Sequence, residues 1–413
     1  MIAMTKHNNS QNLYTSKIMR RLILLNQSTG SLFHQLASGL SHHYPDGCAL
    51  VTGNASSAEA MSEAVPRLSV HAAPTYDRRS RVRRVLSWVR YVLRTTRYVL
   101  RARKGDAILL VSNPPLVGPW VWLLTHLRRV PYAVLVYDIH PDVLVGLGVL
   151  RERGIPARIW QSINRRVYRR ALAVITIGHR MAAVIQKQVG EDQPKVAVVP
   201  PWVDVDSIRP VPRDRNPHAD SYVPQDALVV LYSGNLGASH DIDSILEAAR
   251  QLKEDPDIFF LLIGGGEKFP EAASFAERHG LNNLRVLPWQ PVDRIPFTLP
   301  LGDIALVALD EGMEDYMVPS KTFSYLAAGS AIVAITNEPS ELTEILDQAR
   351  VGLRVPPRQP DTLASAIRTL AADKPRLAAM RAEARQLAEE RYSREAGVAA
   401  FAHVLEEAGL GPG

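Results

Sequence analysis

Short apolar runs of strand length recur along the chain, separated by polar stretches of helical length. RLILLN (21–26), CALVTG (48–53), AILLVS (107–112), YAVLVYD (132–138), AVITIG (173–178) and VAVVPPWVD (196–204) read as strands. Between them the pattern predicts helices from about Ser31 to His42, through the basic stretch ending at 104, up to about Leu127, and over 158–170. A second series follows: LVVLYSG (228–234), IFFLLIGGG (258–266), LRVLPW (284–289), DIALVALD (303–310), AIVAI (331–335) and GLRVP (352–356). Residues 361–408 read as helix. Apolar strands without strict alternation are buried on both faces, so they belong to parallel sheets flanked by helices. PVPRDRNPHADSYVPQ (210–225) is proline-rich and polar and is predicted to be a linker. The fold class expected is α/β: two doubly wound parallel-sheet domains facing a central cleft, at 19–209 and 226–390. Residues 391–413 are expected to return as a helix toward the first domain. Residues 1–18, polar and without the apolar core of a signal peptide, are expected to be a disordered extension, with Met19 the alternative start.

Composition narrows the compartment. At 413 residues with 46% hydrophobic and 22% charged positions, the chain is globular and long enough for two cores. A single cysteine, Cys48, excludes a disulfide framework and cysteine-based zinc sites, and fits a reducing compartment. No apolar run reaches the ~18–20 residues of a membrane span. The longest candidate, LVGPWVWLL (116–124), is short and holds a proline.

The net charge of +6 is unevenly spread. Residues 78–104, RRSRVRRVLSWVRYVLRTTRYVLRARK, hold eleven Arg or Lys and no acid. Trp88, Tyr91, Val92, Tyr98 and Val99 interleave at helical spacing, giving a basic amphipathic helix of the kind that lies on an anionic membrane surface. A solvated face of an ordinary helix is the alternative. No nucleic-acid motif accompanies the charge, so nucleic acid is not expected as a partner.

The chemistry-bearing residues of the second half fall at strand carboxyl ends. SGNLGASHD (233–241) turns from strand to helix with Gly234, Asn235 and His240. Gly264 and Gly265 open a glycine run, PWQP (288–291) presents Trp289, and VPSKTF (318–323) presents Pro319, Ser320 and Lys321 at a helix start. Glycines allow close approach to backbone, and a helix start with a lysine suits an anion, usually a phosphate. The plain alternative at 318–323 is a helix entry with Ser320 as cap and Lys321 on a solvated face. Asp138 ends a strand in YDIHPD (137–142), where it or His140 would orient or deprotonate an acceptor hydroxyl; a helix cap by Asp138 is the competing role.

LYSGNLGASHDIDSILEAA (231–249), FFLLIGGGE (259–267), VLPWQP (286–291) and VPSKTFSYLAAGSAIVA (318–334) resemble the nucleotide-sugar domain of family 4 glycosyltransferases, retaining enzymes of the GT-B fold. QSTGSLFHQLASGL (27–40), VYDIHPD (136–142) and VVPPWVDVDSI (198–208) extend the resemblance from about Met19 onward, nearest to the enzymes of bacterial colanic-acid, O-antigen and exopolysaccharide synthesis. The resemblance implies two Rossmann-like domains, a nucleotide-diphosphate sugar donor, and Gly30, Ser31 and Lys321 against the donor diphosphate. It also implies a lipid-linked saccharide acceptor, with the protein cytoplasmic and peripherally attached to the inner membrane through 78–104.

Two departures stand out. Asn235 and His240 replace the family's Arg and Lys, and Tyr316 and Ser324 replace its paired glutamates, with Glu311, Glu314 and Asp315 as candidate substitutes. With no acidic pair at a strand end, catalysis without metal or other cofactor is expected. A nucleotide-sugar 2-epimerase and an inactive scaffold are the rival readings.

Overall fold

The computed structural model describes residues 19–57, 65–77, 79–146, 148–151, 153–190, 196–237, 240–309 and 311–412. The expected extension at 1–18 lies outside them, as does Arg78 of the basic segment. The chain forms two compact units, one ending at Val199 and resuming at Gly397, the other Pro200–Ala396.

The first unit holds one parallel sheet: β1 Arg21–Leu25, β2 Cys48–Thr52, β3 Leu68–Ala72, β4 Asp106–Val111, β5 Tyr132–Val136, β6 Ala173–Thr176 and β7 Ala197–Val198. Its order is β3-β2-β1-β4-β5-β6-β7. Strands β2, β4 and β5 are buried along their whole length, as uninterrupted apolar runs require. The helices are α1 Ser31–Ser41, α2 Arg81–Leu100, α3 Val117–Arg128, α4 Asp142–Gly146, α5 Ile155–Arg170 and α6 His179–Val189. The chain's last helix, Arg394–Glu407, brings Val398 and Leu410 back to this unit. Val398 sits where a side chain on Gly39 of α1 would be, and the Tyr44 hydroxyl donates to the Leu410 carbonyl at 2.8 Å.

The second unit repeats the plan with β8 Leu228–Asn235, β9 Ile258–Gly265, β10 Leu284–Pro288, β11 Ile304–Ala308, β12 Ala331–Ile335 and β13 Gly352–Val355, in the order β10-β9-β8-β11-β12-β13. Its helices include α7 Ala219–Tyr222, α8 Ile242–Gln251, α9 Phe269–Arg278, α10 Ile295–Thr298, α11 Lys321–Ala327, α12 Glu341–Ala349, α13 Pro360–Ala372 and α14 Lys374–Arg391. All pairings among these strands are parallel.

Three expectations need correction. β3, LSVHA, carries no uninterrupted apolar run because it is an edge strand with only half-buried and exposed side chains. The strand expected at 196–204 shrinks to Ala197–Val198, since Pro200 and Pro201 offer no N–H to a ladder. Most consequentially, 210–225 is no linker. Ala219, Tyr222 and Val223 are buried in the second core, and Asn216 donates to the Phe297 carbonyl at 2.6 Å. Prolines and charges there mark irregular backbone, and the chain passes between units at Val199 and Pro200 instead.

Asp303, ahead of β11, ties that segment to the sheet and to α14. Its carboxylate accepts from Arg381 at 2.6 Å, from Arg213 at 3.0 Å and from the Val229 amide at 2.9 Å. Asp303→Ala leaves two facing guanidiniums and one backbone N–H without their acceptor. It should lower the stability of the second unit by about 2–3 kcal/mol, read as a fall in urea midpoint.

Candidate functional site

In a doubly wound sheet, ligands bind beyond the carboxyl ends of the strands where the strand order reverses. The order reverses between β1 and β4 in the first unit and between β8 and β11 in the second. SGNLG spans the end of β8 and the start of the loop leaving it, and VPSK lies in the connection from β11 to α11, so the topology brings these candidate residues to one crevice.

The crevice opens because β8 and β11 stay paired only at Val230↔Ile304 and Leu231↔Ala305. Beyond that point α11 takes over. The Tyr325 hydroxyl accepts from the Ser233 amide at 2.6 Å and donates to the Ser233 carbonyl at 2.9 Å, replacing the missing ladder partner. One turn earlier on the same helix face, the Lys321 ammonium lies 4.0 Å from the centroid of the Tyr232 ring and against Gly234. Lys321 is therefore half-buried in the glycine loop and not on a solvated helix face, and the Ser320 hydroxyl makes no cap bond. Gly329 ends the helix at φ +72°, a left-handed conformation, where a side chain would also meet Pro210 at 2.9 Å.

The neighbouring loops close on the same point. A methyl on Gly264 would collide with the Gly234 carbonyl, and one on Gly265 would lie 2.5 Å from the Trp289 indole nitrogen. Trp289 itself is exposed. The Tyr232 hydroxyl donates to the Asn235 carbonyl at 2.8 Å, and the His240 Nδ1 stands 2.8 Å from both oxygens. Lys268 reaches back to the His240 carbonyl at 3.1 Å and to Asp243 at 2.7 Å. Gly234, Asn235, His240, Gly264, Gly265, Trp289 and Lys321 thus form one cluster, with Pro319, Ser320 and Ser324 on or beside α11. Sequence reasoning missed Tyr232, Tyr325 and Lys268. The tyrosines read as core within apolar runs, and only the position of Lys268 directly after GGGE pointed to it. Of the proposed glutamate substitutes, Glu311 pairs with Arg358 at 2.7 Å, and Glu314 accepts from Asn337 at 2.8 Å.

In the first unit, Gly30 and Ser31 start α1 just past β1, exposed, with open space where a Gly30 side chain would project. Asp138 and His140 follow β5, on the same strand-end edge of that sheet. Asp138 is half-buried and caps nothing, because the next helix begins only at Asp142. The His140 Nδ1 is buried with no hydrogen-bond partner among the described residues, and its ring packs on Trp160 at 5.8 Å. Burial lowers the His140 pKa below 6.5, against the opposing pull of Asp138 and Asp142.

The family sequence model "Glycosyl transferases group 1" matches residues 214–387, and "Glycosyl transferase 4-like domain" matches 30–202. The chain belongs to these glycosyltransferase families. The glycosyltransferase is 30% identical over 266 residues to "Probable glycosyltransferase WbjE" of Pseudomonas aeruginosa, a match covering 64% of this chain and 66% of that one. It is 28% identical over 272 residues to WcaI of Escherichia coli K12, whose name assigns it to colanic acid biosynthesis, again covering 64% and 66%. These matches span just under two thirds of either relative. Among solved structures, Anabaena Alr3699/HepE in complex with UDP superposes with a TM-score of 0.70 at 16% identity, covering 94% of this chain and 100% of that one. WaaG, a glycosyltransferase of lipopolysaccharide biosynthesis, gives 0.65 at 14%, covering 93% and 99%. The fold is GT-B.

Two outcomes follow from this geometry. Tyr325→Phe strips both Ser233 backbone groups of their partner and should cost about 1–3 kcal/mol of stability, measured by urea titration. His140 is harder to protonate folded than unfolded, so its contribution to stability is complete above pH 6.5 and is lost as pH falls through 6.5 toward the lower folded value. His140→Gln should flatten that part of a plot of unfolding midpoint against pH.

Proposed function

We propose that this glycosyltransferase moves a sugar, with retention of configuration and without metal or other cofactor, from a nucleoside diphosphate to a polyprenyl-diphosphate-linked saccharide in bacterial surface polysaccharide synthesis. The outer surface of the first unit carries the lipid-linked part of this reading. On α2, Val82, Leu86, Val89, Leu93 and Leu100 share one face at the helical repeat and are all exposed, Val82 by 69% and Leu93 by 59%. Leu123 and Leu127 of α3 and Ile155 and Ile159 of α5 are exposed as well. Exposed apolar rows flanked by arginines suit an anionic bilayer surface, the cytoplasmic face of the inner membrane in this reading.

The expected apolar face needs restating. Tyr91, Val92 and Val99 are buried in the first unit's core, and Trp88 and Tyr98 are half-buried. The membrane-facing row is the other apolar row of the same helix. No described helix is long and apolar enough to cross a membrane.

The names of relatives support the polysaccharide setting, and the UDP of the HepE structure supports a nucleoside diphosphate leaving group. Lys321, with the glycine-loop amides, would stabilise that leaving group, while Gly30 and Ser31 are the first unit's own candidates for holding a phosphate. Asp138 or the neutral His140 would position the acceptor hydroxyl, whose proton passes to the departing diphosphate as the new glycosidic bond forms on the same face.

Incubation with labelled nucleotide sugars and a bacterial lipid extract should move label into lipid. Lys321→Ala should lower turnover by roughly one to three orders of magnitude. Leu86→Gln with Leu93→Gln should release the protein from anionic vesicles yet spare transfer to a short water-soluble acceptor. Free epimer or no turnover with the wild type would refute transfer. Failure of the wild type to float with vesicles would refute attachment.

A further inference from the structure

Beside the exposed apolar row of α2 runs a row of arginines: Arg83, Arg90, Arg94, Arg97 and Arg101, again at helical repeat. The last three turn toward the sheet and face Arg21, His71, Tyr98 and Arg103 across a cavity of about 420 Å³. Five guanidiniums and an imidazole share this space. Arg21 is engaged by Asp106, at 2.6 and 3.2 Å, and nearby Asp46 is held by Arg20 at 2.8 and 2.9 Å. Among the described residues, no carboxylate pairs with Arg94, Arg97, Arg101 or Arg103. Arg94 rests its Nε 3.3 Å from the Ala72 carbonyl and lies 5.8 Å over the Tyr98 ring, which in turn packs against His71 at 5.2 Å.

We propose that this pocket is a second anion site, which takes the phosphate group of a phosphomonoester or phosphodiester and is distinct from the donor loops. Asp106 offsets Arg21 and accepts from the Arg103 backbone N–H at 2.8 Å, so the remaining guanidiniums leave an excess of positive charge that solvent or an anion must compensate, and forked guanidiniums match phosphate oxygens in pairs. The pocket lies along the β3 edge of the sheet, from Arg21 at the start of β1 to His71 near the end of β3, and neither Gly30 nor Ser31 lines it. Its field is felt by His71, whose pKa is lowered by burial first and then by Arg21, Arg94 and Arg97. Leu93 and Leu100 lie on the adjoining exposed face, so a lipid phosphate and a soluble phosphorylated ligand present the same chemistry to the pocket. The inference does not rest on the transfer reading, because none of these residues belongs to the donor or acceptor sites.

The test uses the full chain with ¹³C-labelled histidines and Lys321→Ala in the background, so that the donor loops hold phosphate poorly. The His71 resonance is assigned by His71→Gln. Titration with sodium pyrophosphate should shift the His71 ring saturably and raise its pKa, because a bound anion offsets the arginine field. Arg97→Ser with Arg101→Ser, both exposed positions, should weaken that response about tenfold or more, with the thermal midpoint confirming that the variant is folded. Such a response marks a soluble phosphorylated ligand. In the other arm, flotation on phosphatidylglycerol vesicles should fall about tenfold or more in the same double variant with Leu86 and Leu93 intact. A loss there, with His71 silent to pyrophosphate, marks a lipid headgroup. A silent His71 together with unchanged flotation overturns the proposal. So does a pyrophosphate response that the double variant leaves intact, or a silent His71 in a wild type that does not float.

Discussion

The crevice of the second unit depends on one hydroxyl. Where β8 and β11 part company, the Ser233 amide and carbonyl lose their ladder partner, and buried backbone groups without partners are costly. Tyr325 satisfies both from α11. That bond fixes the rotation and height of a helix only seven residues long, too short to hold its place by intrinsic propensity. Lys321, four residues earlier, is then set against Tyr232 and Gly234. The separation that creates room for a ligand and the bond that compensates for it thus also position the cation facing that room.

Much of this plan was legible because the strands are buried on both sides. An uninterrupted run such as AIVAI or FFLLI has one stable use in a chain of this length, and glycine-rich loops at such strand ends could be placed before any coordinates. What escaped notice had weak or misleading local signals. LSVHA is an edge strand, and its half-exposed side chains carry no uninterrupted apolar run. The proline-rich 210–225 segment reads as a linker, yet Tyr222 donates to Gln290 at 2.7 Å and Arg213 reaches the Ala227 carbonyl at 2.5 Å. Those are long-range partners, and composition says nothing about long-range partners. Tyr232 and Tyr325 were concealed by their own apolar bodies, since only the hydroxyl position separates a core tyrosine from a bridging one.

The departures from the family pattern gain a physical reading. With Asn235 and His240 in place of cations, the loop after β8 is organised internally, by the Tyr232 hydroxyl and the His240 ring around the Asn235 carbonyl. Lys268 adds a cation close by, but its charge is directed at Asp243 and at the His240 carbonyl. Lys321 is thus the cation set against the glycine loop, at Tyr232 and Gly234, and under the proposed reading any further attraction for a diphosphate would come from backbone dipoles. Dipoles bind more weakly than full charges but bring no mutual repulsion into an empty site, which suits a loop in which glycine backbones already approach one another closely.

Helix α2 shows why amphipathicity alone does not say which face meets which environment. Twenty residues with two apolar rows and one arginine row present three surfaces. The row with tyrosines is buried, because Tyr91 can donate to the Val51 carbonyl at 3.0 Å and the Trp120 indole donates to Thr96 at 2.8 Å. The aliphatic row, Val82 to Leu100, has no polar atoms to anchor it to the sheet and is left outside. The buried row combines aliphatic Val92 and Val99 with Tyr91, whose hydroxyl bond fixes which apolar row faces the sheet, and the second aliphatic row is left exposed. The arginines between the rows are then directed by geometry to the boundary of that surface, where a charged headgroup region would lie.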